Sequence, residues 1–124
     1  MKICHALASA TLALGAPVAA QKPTKVVPVI LYSFGYAPGP IALTAGEPVT
    51  MVFSNRSGTG HEFKAPEFFA ASRILSGDAA ESEIGMEPGQ SKSVTLVPSR
   101  GTYRVHCGHF FHTQLGMHTT IFVR

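Results

Sequence analysis

YRVHCGHFFHTQLGMHTTIFVR, residues Tyr103–Arg124, places two β-prone runs on either side of a short loop. The runs read as strands over Thr102 to Cys107 and Thr119 to Val123. In the first, Tyr103, Val105 and Cys107 alternate with Arg104 and His106. Side chains two apart in a strand share a face, so Cys107 points inward beside Val105. A hairpin-like pair of half-buried strands closing the chain argues for an all-β architecture.

The rest of the chain repeats that texture. Strands are expected near Val26 to Phe34, Ile41 to Leu43, Val49 to Ser54, His61 to Lys64 and Ser93 to Val97. Between them lie GYAPGP (residues 35–40), TAGEP (44–48), NRSGTG (55–60), EPGQ (87–90) and PSRG (98–101), which are turn chemistry. One stretch departs from this texture: Pro66 to Ile74 (PEFFAASRI) has Pro at a first helical position and apolar residues at helical spacing, so a short helix is expected there. Seven to eight short strands with one minor helix predict a closed antiparallel β-sandwich or barrel.

The first residues, MKICHALASATLALGAPVAAQ, show a basic start at Lys2, an apolar stretch and small residues at Val18 to Ala20. That layout is a signal peptide, residues 1–20, cleaved after Ala20 to leave one domain over residues 21–124. The apolar run is shorter than the roughly 18 to 20 residues a membrane-spanning helix needs, and no later segment is longer. Export to the periplasm is therefore expected, with no membrane span. The formal net charge of +3 is spread along the chain without a basic run, which argues against nucleic-acid binding.

With Cys4 removed in the leader, Cys107 is the one cysteine of the exported chain. A single thiol in an oxidising compartment forms no intramolecular disulfide, which leaves a buried inert thiol, an intermolecular bridge, a nucleophile or a metal ligand. Its loop decides among them: Cys107, His112 and Met117 stand at C-x4-H-x4-M. Thiolate, imidazole and thioether form a soft donor set suited to copper in both oxidation states. A trigonal site of two imidazoles and a thiolate with a long axial thioether needs a second histidine, and His61, at the start of a strand after a Gly-rich turn, supplies it. Taken singly, Cys107 and Met117 also read as core residues and His112 as a buried histidine. His109 competes with His112, although its C-x-H spacing places it poorly for the same ion. His106 and His118 are expected to face solvent and, with His109, to offer an accessory metal patch. Asn55 ends a strand and is expected to tie the His61 loop to the Cys107 loop.

The stretch Thr44 to Asn55 (TAGEPVTMVFSN), His61-Glu62-Phe63, and the Cys107 to Met117 loop before a last strand together resemble the cupredoxin family of type 1 copper proteins. The resemblance covers almost the whole exported chain. It implies a Greek-key β-sandwich with one copper ion at one end, His61, Cys107 and His112 as strong ligands, and Met117 axial. The loop spacing is similar to that of the mononuclear copper loop in multicopper oxidases, and so is His106 before the cysteine. Gly108 follows the cysteine where those oxidases carry a histidine, and the five histidines His61, His106, His109, His112 and His118 are too few for a trinuclear cluster as well. Glu62 stands where many family members have Asn.

The implied function is one-electron transfer to a transient redox partner, without enzymatic activity, docking through an apolar patch of Phe110, Phe111 and Leu115 around His112. The alternative is a periplasmic copper-binding protein for copper tolerance, storage or delivery. A zinc hydrolase fits less well, because Glu62, the carboxylate beside a proposed ligand, alternates away from the metal. A cysteine nucleophile lacks an accompanying oxyanion-hole signature.

Overall fold

The computed structural model describes residues 12–16, 24–77, 79, 82–109, 112 and 114–124. Of the expected leader only 12–16 fall among them, as exposed chain without regular structure, and Phe110 and Phe111 lie outside the described residues. Among the described residues the strands are β1 (Lys25–Tyr32), β2 (Gly35–Ala37), β3 (Ile41–Leu43), β4 (Val49–Asn55), β5 (His61–Lys64), β6 (Arg73–Gly77), β7 (Glu83–Met86), β8 (Ser91–Val97), β9 (Gly101–His106) and β10 (His118–Val123), with one helix, α1 (Pro66–Ala71). Among the described residues no helix is long and apolar enough to cross a membrane.

The strands form two five-stranded sheets, ordered β2-β1-β4-β8-β6 and β3-β10-β9-β5-β7. Alternation explains how they pack. On β4, Val49, Met51, Phe53 and Asn55 are buried while the residues between them are half-buried. Val94 and Leu96 of β8, Tyr103 and Val105 of β9, and Ile121 and Val123 of β10 face the same core. Each large apolar side chain removed from water there contributes about 1.5–3 kcal/mol. The all-β sandwich with a short helix is thus as expected.

Among the described residues three strands lie beyond the seven named from the sequence, each for a local reason. Residues 35–37 carry Gly and precede two prolines, yet pair with β1 as a short edge strand. β7 is interrupted by Gly85 and carries a weak apolar pattern. β6 takes the residues expected to end the helix: Ile74 pairs with Leu96 of β8 and stays 40% exposed, so its apolar spacing belongs to a sheet edge. Two pairings, β1 with β4 and β3 with β10, are parallel where antiparallel neighbours were expected. The chain leaves the first sheet to form β3 in the second and then returns, so β4 enters running alongside β1.

One end of the sandwich gathers the chemistry. β4 ends at Asn55, β5 begins at His61, β9 ends at His106 and β10 begins at His118.

Candidate metal centre

His61 opens β5, and the alternation that buries Phe63 buries His61 too, at 0% exposure. Its Nε2 lies 3.4 Å from the Ser33 hydroxyl and 3.3 Å from that of Thr59. Its Nδ1 is buried and, among the described residues, has no hydrogen-bond partner. Burial, chiefly, and then repulsion from His112 and His109 hold the His61 pKa below the ordinary histidine value, so the ring is neutral at neutral pH. A neutral imidazole carries one N–H and one lone pair. With Nε2 engaged by two hydroxyls, the proton is assigned to Nε2 and the lone pair to Nδ1. Such a buried polar atom without a partner costs about 1–3 kcal/mol, and places of this kind mark sites completed by something else.

The opposite side is the Cys107–Met117 loop, which folds on its own backbone. His112 N–H donates to His109 O at 3.1 Å, Leu115 and Met117 N–H donate to His112 O at 3.2 and 3.0 Å, and Cys107 N–H donates to Met117 O at 3.1 Å. Gly116, at φ 97°, adopts the left-handed backbone that lets the loop turn into β10. The turns bring Cys107, 1% exposed, and Met117, 0% exposed, to the base of the loop, with half-buried His112 above them. Cys107 Sγ accepts the Glu62 backbone N–H at 3.4 Å and lies 3.5 Å from His112 Nδ1. One ligand atom each from His61, Cys107 and His112 fall within 4.8 Å of one another.

A second layer fixes these groups. Asn55 donates from Nδ2 to Thr59 O at 2.8 Å and to Met86 O at 3.0 Å, while its Oδ1 accepts Ser57 N–H at 3.0 Å. It therefore ties the turn before His61 to the end of β7, rather than to the Cys107 loop as expected. The link to that loop is Glu62, whose Oε2 accepts Gly108 N–H at 3.1 Å and whose Oε1 lies 3.7 Å from His109 Nε2. A Cβ at position 108 would meet this carboxylate, so a larger residue after the cysteine would shift the Glu62 side chain. Tyr36 donates its hydroxyl to Glu62 O at 2.6 Å, and burial, then Cys107 and Glu62, keep it neutral by raising its pKa.

Of the expected ligands, His61, Cys107 and His112 converge, and Met117 is buried beside Cys107 at the loop's base. His109 stays outside: it is exposed and stacks on His112, with ring centroids 5.3 Å apart and planes at 13°. His118 faces solvent as expected, whereas His106 is half-buried on the outer face of its sheet. Sequence reasoning missed Ser33, Thr59 and Phe34, the last 5.0 Å from His112 edge-to-face. Thr59 was within reach, since it sits two residues before His61 where an extended chain repeats its facing. Ser33 and Phe34 come from a distant turn and carry no local signal.

The profile of the Cupredoxin-like domain family matches residues 4–123. Among solved structures, the chain is similar to auracyanin B, at 22% identity over 86% of this chain and 94% of the other, with a TM-score of 0.59. It is similar to auracyanin A from Chloroflexus aurantiacus, described as a "blue" copper protein, at 17% identity over 82% of this chain and 100% of the other, TM-score 0.59. A multicopper oxidase from Campylobacter jejuni, described as a metallo-oxidase, aligns at 14% identity over 89% of this chain and 32% of its own, TM-score 0.64. No curated protein matches the chain.

Proposed function

We propose that this chain, which belongs to the Cupredoxin-like domain family, holds one copper ion through His61, Cys107 and His112, with Met117 as an axial donor, and carries single electrons. The observation that carries the reading is the partnerless Nδ1 of His61, buried at 0% exposure and facing a thiol and a second imidazole within 4.8 Å. Two imidazole nitrogens, one sulfur and a nearby thioether fit copper better than a hard cation. Bound there, copper supplies a one-electron couple. The chain supplies the rest. The framework holds His61 from behind by the Ser33 and Thr59 hydroxyls, the Glu62 N–H stabilises negative charge on the Cys107 sulfur, and burial excludes water. Ligands fixed from two sides reorganise little on gaining or losing an electron. Half-buried His112 is the edge nearest the surface, where a redox partner docks transiently.

The assignment as a carrier rather than an enzyme follows from a donor set that leaves no position for substrate. Export through residues 1–20 to the periplasm belongs to the same proposal. A second reading, copper tolerance, storage or delivery, is favoured by the three further histidines, His106, His109 and His118, at the same end of the sandwich.

The test is the optical and electron paramagnetic resonance spectrum of the Cu(II)-loaded protein beside Cys107→Ser. The expected result is intense visible absorption from thiolate-to-Cu(II) charge transfer that vanishes in the variant. A colourless protein, or colour that survives the substitution, overturns the site. Reversible reduction with slow copper loss to a chelator supports the carrier, and rapid loss supports delivery.

A further inference from the structure

The β9–β10 ladder sets two more imidazoles side by side, outside the buried centre. His106 and His118 are Cα partners in that antiparallel pair. Cys107 N–H donates to Met117 O at 3.1 Å, a bond from the residue after His106 to the residue before His118. That pattern makes His106 and His118 a non-hydrogen-bonded pair, the kind whose Cα atoms stand about 4.5 Å apart and whose side chains approach most closely. Their direction follows from alternation. Val105, Cys107 and Met117 are buried, so His106 and His118 project from the outer face of the sheet, one half-buried and one exposed. Beside them Arg104, Thr119 and Thr120 line an open hollow of about 400 Å³. Lys64 is the next residue in the row, the partner of His106 on β5, and Glu83 Oε2 lies 3.0 Å from its ammonium, so the row carries a matched charge.

We propose that His106 and His118 form a second, surface metal site that takes a divalent transition-metal ion, Cu(II) before Ni(II) or Zn(II). Imidazole suits all three ions, and the general order of divalent affinities puts Cu(II) first. Two donors held by one ladder chelate: once the first nitrogen binds, the second meets the ion at high effective concentration. Among the described residues Cys107 and Met117 turn to the buried face, so a copper ion here lacks the thiolate proposed to colour the buried centre. The site stands apart from the buried one and does not depend on it.

The experiment is equilibrium dialysis of the full protein against Cu(II), with electron paramagnetic resonance at one and two equivalents, for wild type, His106→Gln, His118→Gln, His109→Gln and Cys107→Ser. Wild type is expected to bind a second equivalent that adds no intense visible band. Each of His106→Gln and His118→Gln is expected to weaken that equivalent by about a hundredfold, while His109→Gln leaves it in place. In Cys107→Ser the second equivalent persists, so failure of the buried site and failure of the surface pair read out separately. Unchanged far-ultraviolet circular dichroism shows that each variant is folded. A wild type that binds one equivalent only, a second equivalent indifferent to both His106→Gln and His118→Gln, or one removed by His109→Gln overturns the proposal.

Discussion

The two walls of the candidate metal centre are built in opposite ways. His61 is set by the framework: it belongs to a strand held between β7 and β9, is 0% exposed, and has its Nε2 fixed by hydroxyls from two separate turns. The Cys107–Met117 wall is a loop held largely by bonds to itself, with Gly108, His109 and Leu115 exposed. The partnerless nitrogen therefore sits on the wall held by the core, and the other donors sit on a wall held by its own turns. An ion binding between them finds one donor already placed, and the loop's own bonds bring the others to it. The comparison predicts that damage behind His61 is felt by the whole fold, while damage on the loop's outer surface is felt chiefly by what meets it.

Phe63→Ala strikes the framework wall hardest. Phe63 shares the inner face of β5 with His61, is 0% exposed, and packs against Phe53, Tyr36 and Phe69 with ring centroids at 4.7, 5.7 and 6.2 Å. Truncating a buried phenylalanine costs about 3–5 kcal/mol. Urea unfolding of the metal-free protein should show a loss of that size. A loss below about 1 kcal/mol, small against that cavity cost, would break the claim that this wall rests on the core.

Asn55→Ala ranks next. Asn55 is 1% exposed and its amide satisfies the carbonyls of Thr59 and Met86 while accepting from Ser57. Removing it leaves the buried Met86 carbonyl unpaired, at about 1–3 kcal/mol by the same unfolding measurement. The variant should also weaken copper retention against a chelator, because the turn carrying Thr59 is no longer tied down behind His61. Normal retention with lost stability would mean that the turn does not position His61.

Glu62 sharpens the contrast because it joins the two walls, its backbone on β5 and its carboxylate on the Gly108 N–H. Glu62→Ala should lose about 0.5–1.5 kcal/mol, whereas Glu62→Gln, which keeps an acceptor oxygen, should recover most of it. If the two variants behave alike in unfolding, it is charge and not the hydrogen bond that holds the loop to the strand.

How much of this was legible in the sequence follows the same division. The loop wall was readable because its logic is local: Cys107, His112 and Met117 are separated by short spacings, and alternation along β9 gave Cys107 its inward direction. His61 was readable as a strand-borne partner, since His61 and Phe63 share one face of a short β run. What supports His61 was not. Ser33 reaches it through the turn after β1, and β1 lies beside β4 by a parallel pairing that no adjacent residues encode. Asn55 was recognised as a strand end but aimed at the wrong neighbour, because its partner Met86 lies on β7, a strand with too few apolar residues to be seen. The start of β6 reads as the end of a helix for a similar reason: Ile74 carries helical spacing and strand composition at once, and only pairing with β8 decides between them.

The smallest effect on stability, and the most telling for the outer wall, belongs to Leu115. It is 58% exposed, and the loop uses only its backbone, through the N–H donated to His112 O at 3.2 Å. Leu115→Ala keeps that bond, so unfolding should move by less than about 0.5 kcal/mol, as for surface substitutions generally. What the side chain does lies outside the fold: it is apolar surface close to His112, the proposed ligand nearest solvent. Two molecules that exchange an electron through His112 must bring these faces together, and Leu115→Lys then opposes like charges across the contact. The self-exchange rate of the copper-loaded protein, read from nuclear magnetic resonance line broadening, should fall by about tenfold in Leu115→Lys at low salt and recover as salt screens the charge. An unchanged rate would place the electron's exit elsewhere on the surface, and the loop would then be a wall of the site without being its door.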